Sequence, residues 1–188
     1  MILIIFKNHS NLEGTHAPFP ASKSSWLRYS DEKIIEYKNN MKAKEMGTRL
    51  HEWAAETIKL GIKMPRTKRT INAYINDAIG FNMSPEVVLY YSPYFYGTAD
   101  TIYYNQKTKV LRIHDLKTGV VPAHMEQLIV YAALFCLEYK VNPRELTKID
   151  LAIYQCDEVI SYNPTPEEIL DVMNTIIHFD NILREDEN

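Results

Sequence analysis

The spacing of apolar residues changes along the chain and separates a helical part from a sheet-forming part. Before about residue 80, apolar positions recur every three or four residues, which predicts amphipathic helices. The clearest case contains Met46, Leu50 and Trp53 and is closed by Gly61. Helices are therefore predicted at residues 20–37, 43–60 and 68–79.

After residue 86 the apolar period shortens to two, which is typical of strands with one buried face. Two further helices are predicted, the first of them opened by Pro122. Together these elements predict an α+β (mixed α/β) fold, with a central mixed sheet flanked by helices and a helical N-terminal part. The predicted strands are residues 87–91, 94–104, 110–116, 146–155 and 159–162, with a short edge strand at 1–6, and the helices are 122–139 and 166–183.

The length and composition of the chain predict one domain. Its 188 residues are 46% apolar, which is enough for one hydrophobic core. Within the domain we distinguish a mainly helical part (1–85), a sheet core (86–165) and a C-terminal helix (166–188). The apolar start breaks at Lys7, too early for a signal peptide or a membrane span, so we expect a cytoplasmic protein with no membrane partner.

Charge and cysteine content narrow the possible classes of protein. A net charge of −3 counts against a protein that coats nucleic acid through bulk charge, although a local basic surface would suffice for one cleft. Two basic clusters fit such a surface, and they fit solvated helix faces or a polar loop equally well. They are Lys38, Lys42, Lys44 and Arg49, and Lys63, Arg66, Lys68 and Arg69. Cys136 and Cys156 fit a reducing cytosol and are too few for an iron–sulfur cluster.

Two aspartates and a lysine in the predicted sheet indicate chemistry on phosphate. Asp100 and Asp115 follow apolar runs, and Lys117 stands two residues after Asp115, on the same face of an extended chain. Two carboxylates and an ammonium at one point can hold a hard divalent cation and steer a water molecule. The acid-x-Lys pattern occurs four times in the chain, but only the Asp115 copy ends a predicted strand. An ordinary salt-bridged strand end is the alternative.

Four segments in order along residues 46–132 carry a family resemblance. They are GTRLHE (47–52), GTAD (97–100), IHDLKTG (113–119) and QLIVY (127–131). The chain resembles the PD-(D/E)XK nuclease superfamily, in its RecB-like branch, which includes lambda-type exonucleases. Residues 16–22 together with Trp26 are similar to phage-encoded members. The resemblance implies a restriction-endonuclease-like core.

The resemblance also implies a role for each matching residue. His51, Asp100 and Asp115 would bind Mg²⁺ or Mn²⁺, helped by the backbone carbonyl of Leu116. Lys117 would orient the attacking water and stabilise charge on the phosphate. The remaining catalytic positions are Gln127 and Tyr131, four apart on one helix face.

Simpler interpretations of single residues stay open. His51 could be a hydrogen-bonded core residue, and Tyr131 could be core packing. Glu52 and Glu56 are possible outer carboxylates, whereas His114 points away from Asp115 and is excluded.

The predicted function is a metal-dependent deoxyribonuclease, in first place an exonuclease of phage DNA recombination, repair or processing. The alternatives are a structure-selective endonuclease and an inactive DNA-binding accessory protein of the same fold. DNA is the expected partner, with a single-strand annealing protein or a helicase as further candidates, in the host cytoplasm if the protein is phage-encoded. The expected DNA contacts are Trp26, Arg49, Lys68 and Arg69, with Trp26 packing its own helix as the alternative.

Overall fold

A computed structural model describes residue 17, residues 19–20 and residues 24–186 of the chain. Residue contacts divide the chain after residue 46 into two compact units, so the predicted single domain stays a prediction. The predicted strand at residues 1–6 lies outside the described residues. In the part that is described, no helix is long and apolar enough to cross a membrane.

The first unit contains a short 3-10 helix, Ser24–Arg28, followed by the start of α1, Asp31–Lys59, which continues into the second unit. The predicted helix at residues 20–37 and the predicted break before residue 43 are therefore wrong. Ser30 causes the difference, because its hydroxyl accepts a hydrogen bond from the Lys33 N–H and so caps α1. No glycine or proline interrupts residues 38–42, and the helix runs through them.

The second unit is built on a five-stranded mixed sheet. In order along the chain, and also across the sheet, the strands are β1 (Ser84–Ser92), β2 (Phe95–Asn105), β3 (Val110–Leu116), β4 (Lys148–Gln155) and β5 (Glu158–Tyr162). Neighbouring strands are antiparallel except β3 and β4, which run parallel and are connected through α3 (Glu126–Glu138). The predicted mixed α+β class is confirmed.

Helices cover both faces of this sheet. On one face α3 and α4 (Pro166–Asp186) form a core with strand residues such as Leu111, Ile113 and Leu151. On the other face α2 (Thr70–Gly80) and the end of α1 form a second core that includes Ile75, Leu116 and Tyr154. Consecutive residues near the end of β3 are therefore buried under different helices.

The start of α3 differs from the prediction because of hydrogen bonds from a residue that is distant in sequence, Gln155. Pro122 does not open the helix, which begins at Glu126. The Gln155 side chain accepts a hydrogen bond from the Ala123 N–H and donates to the Gly119 and Val121 carbonyls. These three bonds hold residues 119–123 as an irregular connection.

The two cysteines occupy contrasting environments. Cys136 is buried in α3, and burial raises the pKa of its thiol to about 12. Cys156 is exposed in the turn between β4 and β5. Neither forms a disulfide.

Candidate metal centre

Asp100 lies where β2 changes the face that it buries. Ala99 and Ile102 belong to the same apolar core although they are three residues apart, so the alternation of the strand shifts phase between them. On the neighbouring strand, Glu86 lies between the partners of Ala99 and Thr101 and adopts a positive φ of 53°. This irregularity sets the Asp100 and Glu86 side chains beside one another.

The Asp100 carboxylate connects β2 to the end of β3 and to α1. Its Oδ2 atom accepts a hydrogen bond from the Leu116 N–H at 2.9 Å and lies 3.3 Å from His51 Nδ1. Because the N–H and C=O of one residue in a strand project to the same side, the Leu116 carbonyl also faces β2. The structure thus places His51, Asp100 and the backbone of Leu116 together.

His51 reaches this position because α1 passes close to the end of β3. One turn earlier, a Cβ atom on Gly47 would lie 2.8 Å from Thr118 Oγ1, so only glycine allows this approach without a shift. The bond to Asp100 raises the pKa of His51; burial opposes that effect, and the charges of Asp100, Asp115 and Glu86 add to it. The imidazole therefore faces a negatively charged site.

The structure adds a residue that the sequence analysis missed. His51, Glu86 and Asp100 each offer a ligand atom, and these atoms lie within 4.8 Å of one another. Burial, and then the charge of Asp100, raise the pKa of Glu86. Glu52 and Glu56, the predicted outer carboxylates, line a cavity beside this cluster. Pairing of β1 with β2 identifies Glu86, but the predicted strand began one residue too late to include it.

Asp115 contributes a buried carboxylate next to this cluster. Its side chain is 2% exposed, and burial followed by the charge of Asp100 raises its pKa against the effect of Lys117. Lys117 Nζ donates to Oδ1 at 3.1 Å, but Oδ2 receives no hydrogen bond from the described residues although Nζ lies 3.0 Å away. The ammonium compensates the charge of Oδ2, but a buried oxygen that receives no hydrogen bond keeps part of its desolvation cost. It is the kind of ligand that a divalent cation prefers.

Lys117 is held between β3 and α3 by a chain of hydrogen bonds. Its Nζ donates to Gln127 Oε1 at 2.9 Å, and Gln127 Nε2 donates to the Tyr131 hydroxyl at 3.1 Å. Tyr131 in turn lies against the backbone of β2, where a Cβ atom on Gly97 would be 2.9 Å from the ring. The predicted catalytic residues of β3 and α3 are therefore brought into one network.

His114 belongs to the opposite face of β3. It is buried, and its Nδ1 lies 3.3 Å from the Tyr154 hydroxyl, which donates to Asp77 Oδ2 at 2.7 Å. Burial lowers the pKa of His114 to about 4. His114 is a neutral, hydrogen-bonded residue of the core under α2.

The four predicted DNA contacts belong to both units, one to the first and three to the second. Trp26 belongs to the first unit, where its indole N–H donates to the Pro20 carbonyl and its ring contacts Phe19. In the second unit, Arg49 is exposed on α1, while Lys68 and Arg69 are exposed in the connection before α2. Arg69 lines a groove of about 370 Å³ together with Lys117.

Comparison with protein-family models, with curated proteins and with solved structures gave no match. Arguments about function therefore depend on the geometry of the site. The ligand atoms that lie together come from one imidazole and the carboxylates of Glu86 and Asp100, and Asp115 interacts electrostatically with Asp100 and His51. This donor set fits Mn²⁺ or Mg²⁺, with Mn²⁺ favoured in intrinsic affinity because of the nitrogen ligand.

Proposed function

We propose that the protein is a divalent-metal-dependent nuclease that hydrolyses phosphodiester bonds in DNA. One observation carries the proposal: a cluster of metal-ligand atoms from His51, Glu86 and Asp100 lies beside a buried, incompletely satisfied Asp115–Lys117 pair. If Asp115 and Lys117 formed only a structural salt bridge, the fold would not require an imidazole and two further carboxylates beside it. Together these groups have the composition of a hydrolytic metal site.

The ligand set would be His51, Asp100, Asp115 and the Leu116 carbonyl, extended by Glu86. When bound there, Mg²⁺ or Mn²⁺ supplies a lowered pKa for a coordinated water and compensates charge on the phosphate. The protein contributes the fixed positions of these donors. Asp100 is fixed by the Leu116 N–H and Asp115 by Lys117.

In the proposed reaction, Lys117 is the group that acts on the phosphate. An ammonium has three N–H donors, and two of those on Lys117 are directed to Asp115 and Gln127. In the proposed reaction the third would be donated to the attacking water or to a phosphate oxygen, in place of the 3.0 Å contact with Asp115 Oδ2. Gln127 and Tyr131 keep the ammonium oriented. This preorganised charge stabilises the transition state without reorganisation during the reaction.

We place degradation from DNA ends first among the possible modes of cutting. Sequence-specific endonucleases carry elements that contact base edges in the major groove. The described part of the second unit consists of the sheet and the helices that cover it. This fits an exonuclease of DNA recombination, repair or processing, with an annealing protein or a helicase as the class of partner.

The experiment compares one linear duplex with its covalently closed circle. Each is incubated with Mg²⁺, with Mn²⁺ and with EDTA, and Asp115→Asn serves as the control protein. We expect metal-dependent shortening of the linear DNA and survival of the circle. Cutting of the circle would indicate the endonuclease alternative instead. Binding without cleavage in either metal would indicate the inactive accessory protein.

A further inference from the structure

The connection between α1 and α2 concentrates positive charge on one surface. We call residues 60–69 the cationic loop. Its basic side chains are all exposed, and none has an ion-pair partner among the residues that the structure describes. They are Lys63, Arg66, Lys68 and Arg69. Four cations so close in sequence repel one another, and an anionic ligand would relieve that repulsion.

Two asparagines of α2 hold the cationic loop in a defined shape. The Asn76 side chain accepts from the Met64 N–H at 2.8 Å and donates to the Met64 carbonyl at 3.0 Å. Asn72, which is buried, donates to the Pro65 carbonyl and to Thr67 Oγ1, both at 3.0 Å. Mobile charged loops lack such contacts, so the basic side chains here project from a fixed backbone.

The cationic loop ends at a groove that also contains Lys117. This groove, of about 370 Å³, is lined by Arg69, Thr70 and Ile71 from the start of α2 and by Lys117 and Thr118 from the end of β3. Apolar side chains, among them Leu50 and Val120, supply part of its lining. Lys63 and Arg66 line a second cavity, of about 480 Å³, beside the same loop. Basic side chains of the loop thus line both cavities, together with one acidic residue in each, Asp157 in the groove and Asp77 in the second cavity.

We propose that the groove and the cationic loop bind an unpaired nucleic-acid strand next to the phosphate that is hydrolysed. This inference rests on the proposed function and adds the direction in which the substrate extends. The phosphates contact the four loop cations, and the bases contact the apolar lining of the groove. The start of α2 supports the assignment, because its N-cap residue, Arg69, makes no side-chain hydrogen bond to the first N–H groups of the helix.

Binding is the first test, because it is independent of cleavage. Affinity for a fluorescent single-stranded oligonucleotide is measured in EDTA over a range of salt concentrations. The loop variant changes Lys63, Arg66, Lys68 and Arg69 to Gln. The matched control removes the same charge elsewhere in the second unit, by changing Lys107, Lys140, Arg144 and Lys148 to Gln. Each variant changes four residues, and neither changes a residue of the metal site. Circular dichroism verifies the folding of each.

We expect the loop variant to bind on the order of tenfold or more weakly than the wild type, with a salt slope lower by about three, since each single-strand phosphate contact contributes roughly 0.7. The control should keep most of the affinity and slope. Equal losses in both variants, or an unchanged loop variant, would overturn the proposal. Tighter binding of a hairpin duplex than of the unpaired strand would also overturn it.

Two further measurements separate shape from charge and this inference from the proposed function. Asn76→Ala removes the bonds to Met64 without changing charge and should weaken strand binding to an intermediate extent. A nitrophenyl ester of thymidine monophosphate tests the hydrolytic centre without a long strand, and we expect the wild type to hydrolyse it and Asp115→Asn to lose that activity. A wild type that hydrolyses neither ester nor DNA contradicts the nuclease, while the binding result still decides the role of the loop.

Discussion

The buried polar side chains on the two faces of β3 differ in how completely they are hydrogen-bonded. His114 is buried under α2, and its ring nitrogen, the Tyr154 hydroxyl and the Asp77 carboxylate form a connected set of hydrogen bonds. Asp115, the next residue, is equally buried on the other face but keeps one oxygen without a donor among the described residues. Folding alone explains the first arrangement. The second costs stability, and under the proposed function a bound metal ion would compensate that cost.

Among substitutions on the two faces of β3, we expect Asp115→Asn to cause the largest loss of turnover. The substitution keeps the size of the side chain and removes the charge that would bind the cation. We expect turnover on linear DNA to fall on the order of 10²- to 10³-fold or more, with normal folding by circular dichroism. Cleavage at the wild-type rate would show that the site is wrongly assigned.

A second effect concerns the amount of metal that the enzyme requires. Loss of one protein ligand weakens a divalent-cation site without abolishing it, because water can replace that ligand. We expect His51→Ala and Glu86→Gln each to raise the metal concentration for half-maximal activity roughly 10- to 100-fold. Mn²⁺ should rescue His51→Ala better than Mg²⁺ does. Glu158→Gln is the control, because Glu158 is exposed on β5 at the other edge of the sheet from β1. Titration curves that coincide with the wild type would remove His51 or Glu86 from the ligand set.

On the opposite face, His114→Gln should affect stability instead of chemistry. The change removes a ring that packs against Tyr154 and Phe81 and disturbs a buried hydrogen bond. We expect a loss of about 1–3 kcal/mol in the free energy of unfolding, measured by urea denaturation, and a turnover within twofold of the wild type. A large loss of turnover in a folded protein would contradict the division of β3 into a structural and a functional face.

The smallest effect is expected from Gly97→Ala. The new methyl group would meet the Tyr131 ring at 2.9 Å and displace the hydroxyl that holds Gln127, and through it Lys117. A several-fold loss of turnover should follow, with little change in metal requirement. Gly119→Ala is the control, because a Cβ atom there meets nothing within 4 Å. Equal turnover rates for the two variants would show that Tyr131 does not orient Lys117.

Local pattern was sufficient to predict part of this arrangement. The period of two in β3 places Asp115 and Lys117 on one face and His114 on the other, and the strand ends where the sequence indicates. The i, i+4 spacing likewise places Gln127 and Tyr131 together. These relations depend only on strand and helix geometry, so a sequence can show them.

Features that depend on contacts between distant residues were not predicted. Glu86 joins the cluster because β1 pairs with β2 and because β2 changes its buried face at Asp100, and neither is visible in local alternation. Local pattern predicts that α3 starts at Pro122, because the Gln155 side chain that binds residues 119–123 lies more than thirty residues away. The hydrogen bonds of Asn72 and Asn76 to the cationic loop are likewise not visible in the local pattern.

Direct measurement of Mn²⁺ binding tests the central claim that the functional face of β3 belongs to a metal site. Isothermal titration calorimetry would be performed with the wild type, Asp100→Asn and His114→Gln, without DNA. We expect the wild type and His114→Gln to bind Mn²⁺ with similar affinity and Asp100→Asn to lose that binding, because Asp100 touches both His51 and the end of β3. No binding by the folded wild type, or equal binding by Asp100→Asn, would contradict the claim.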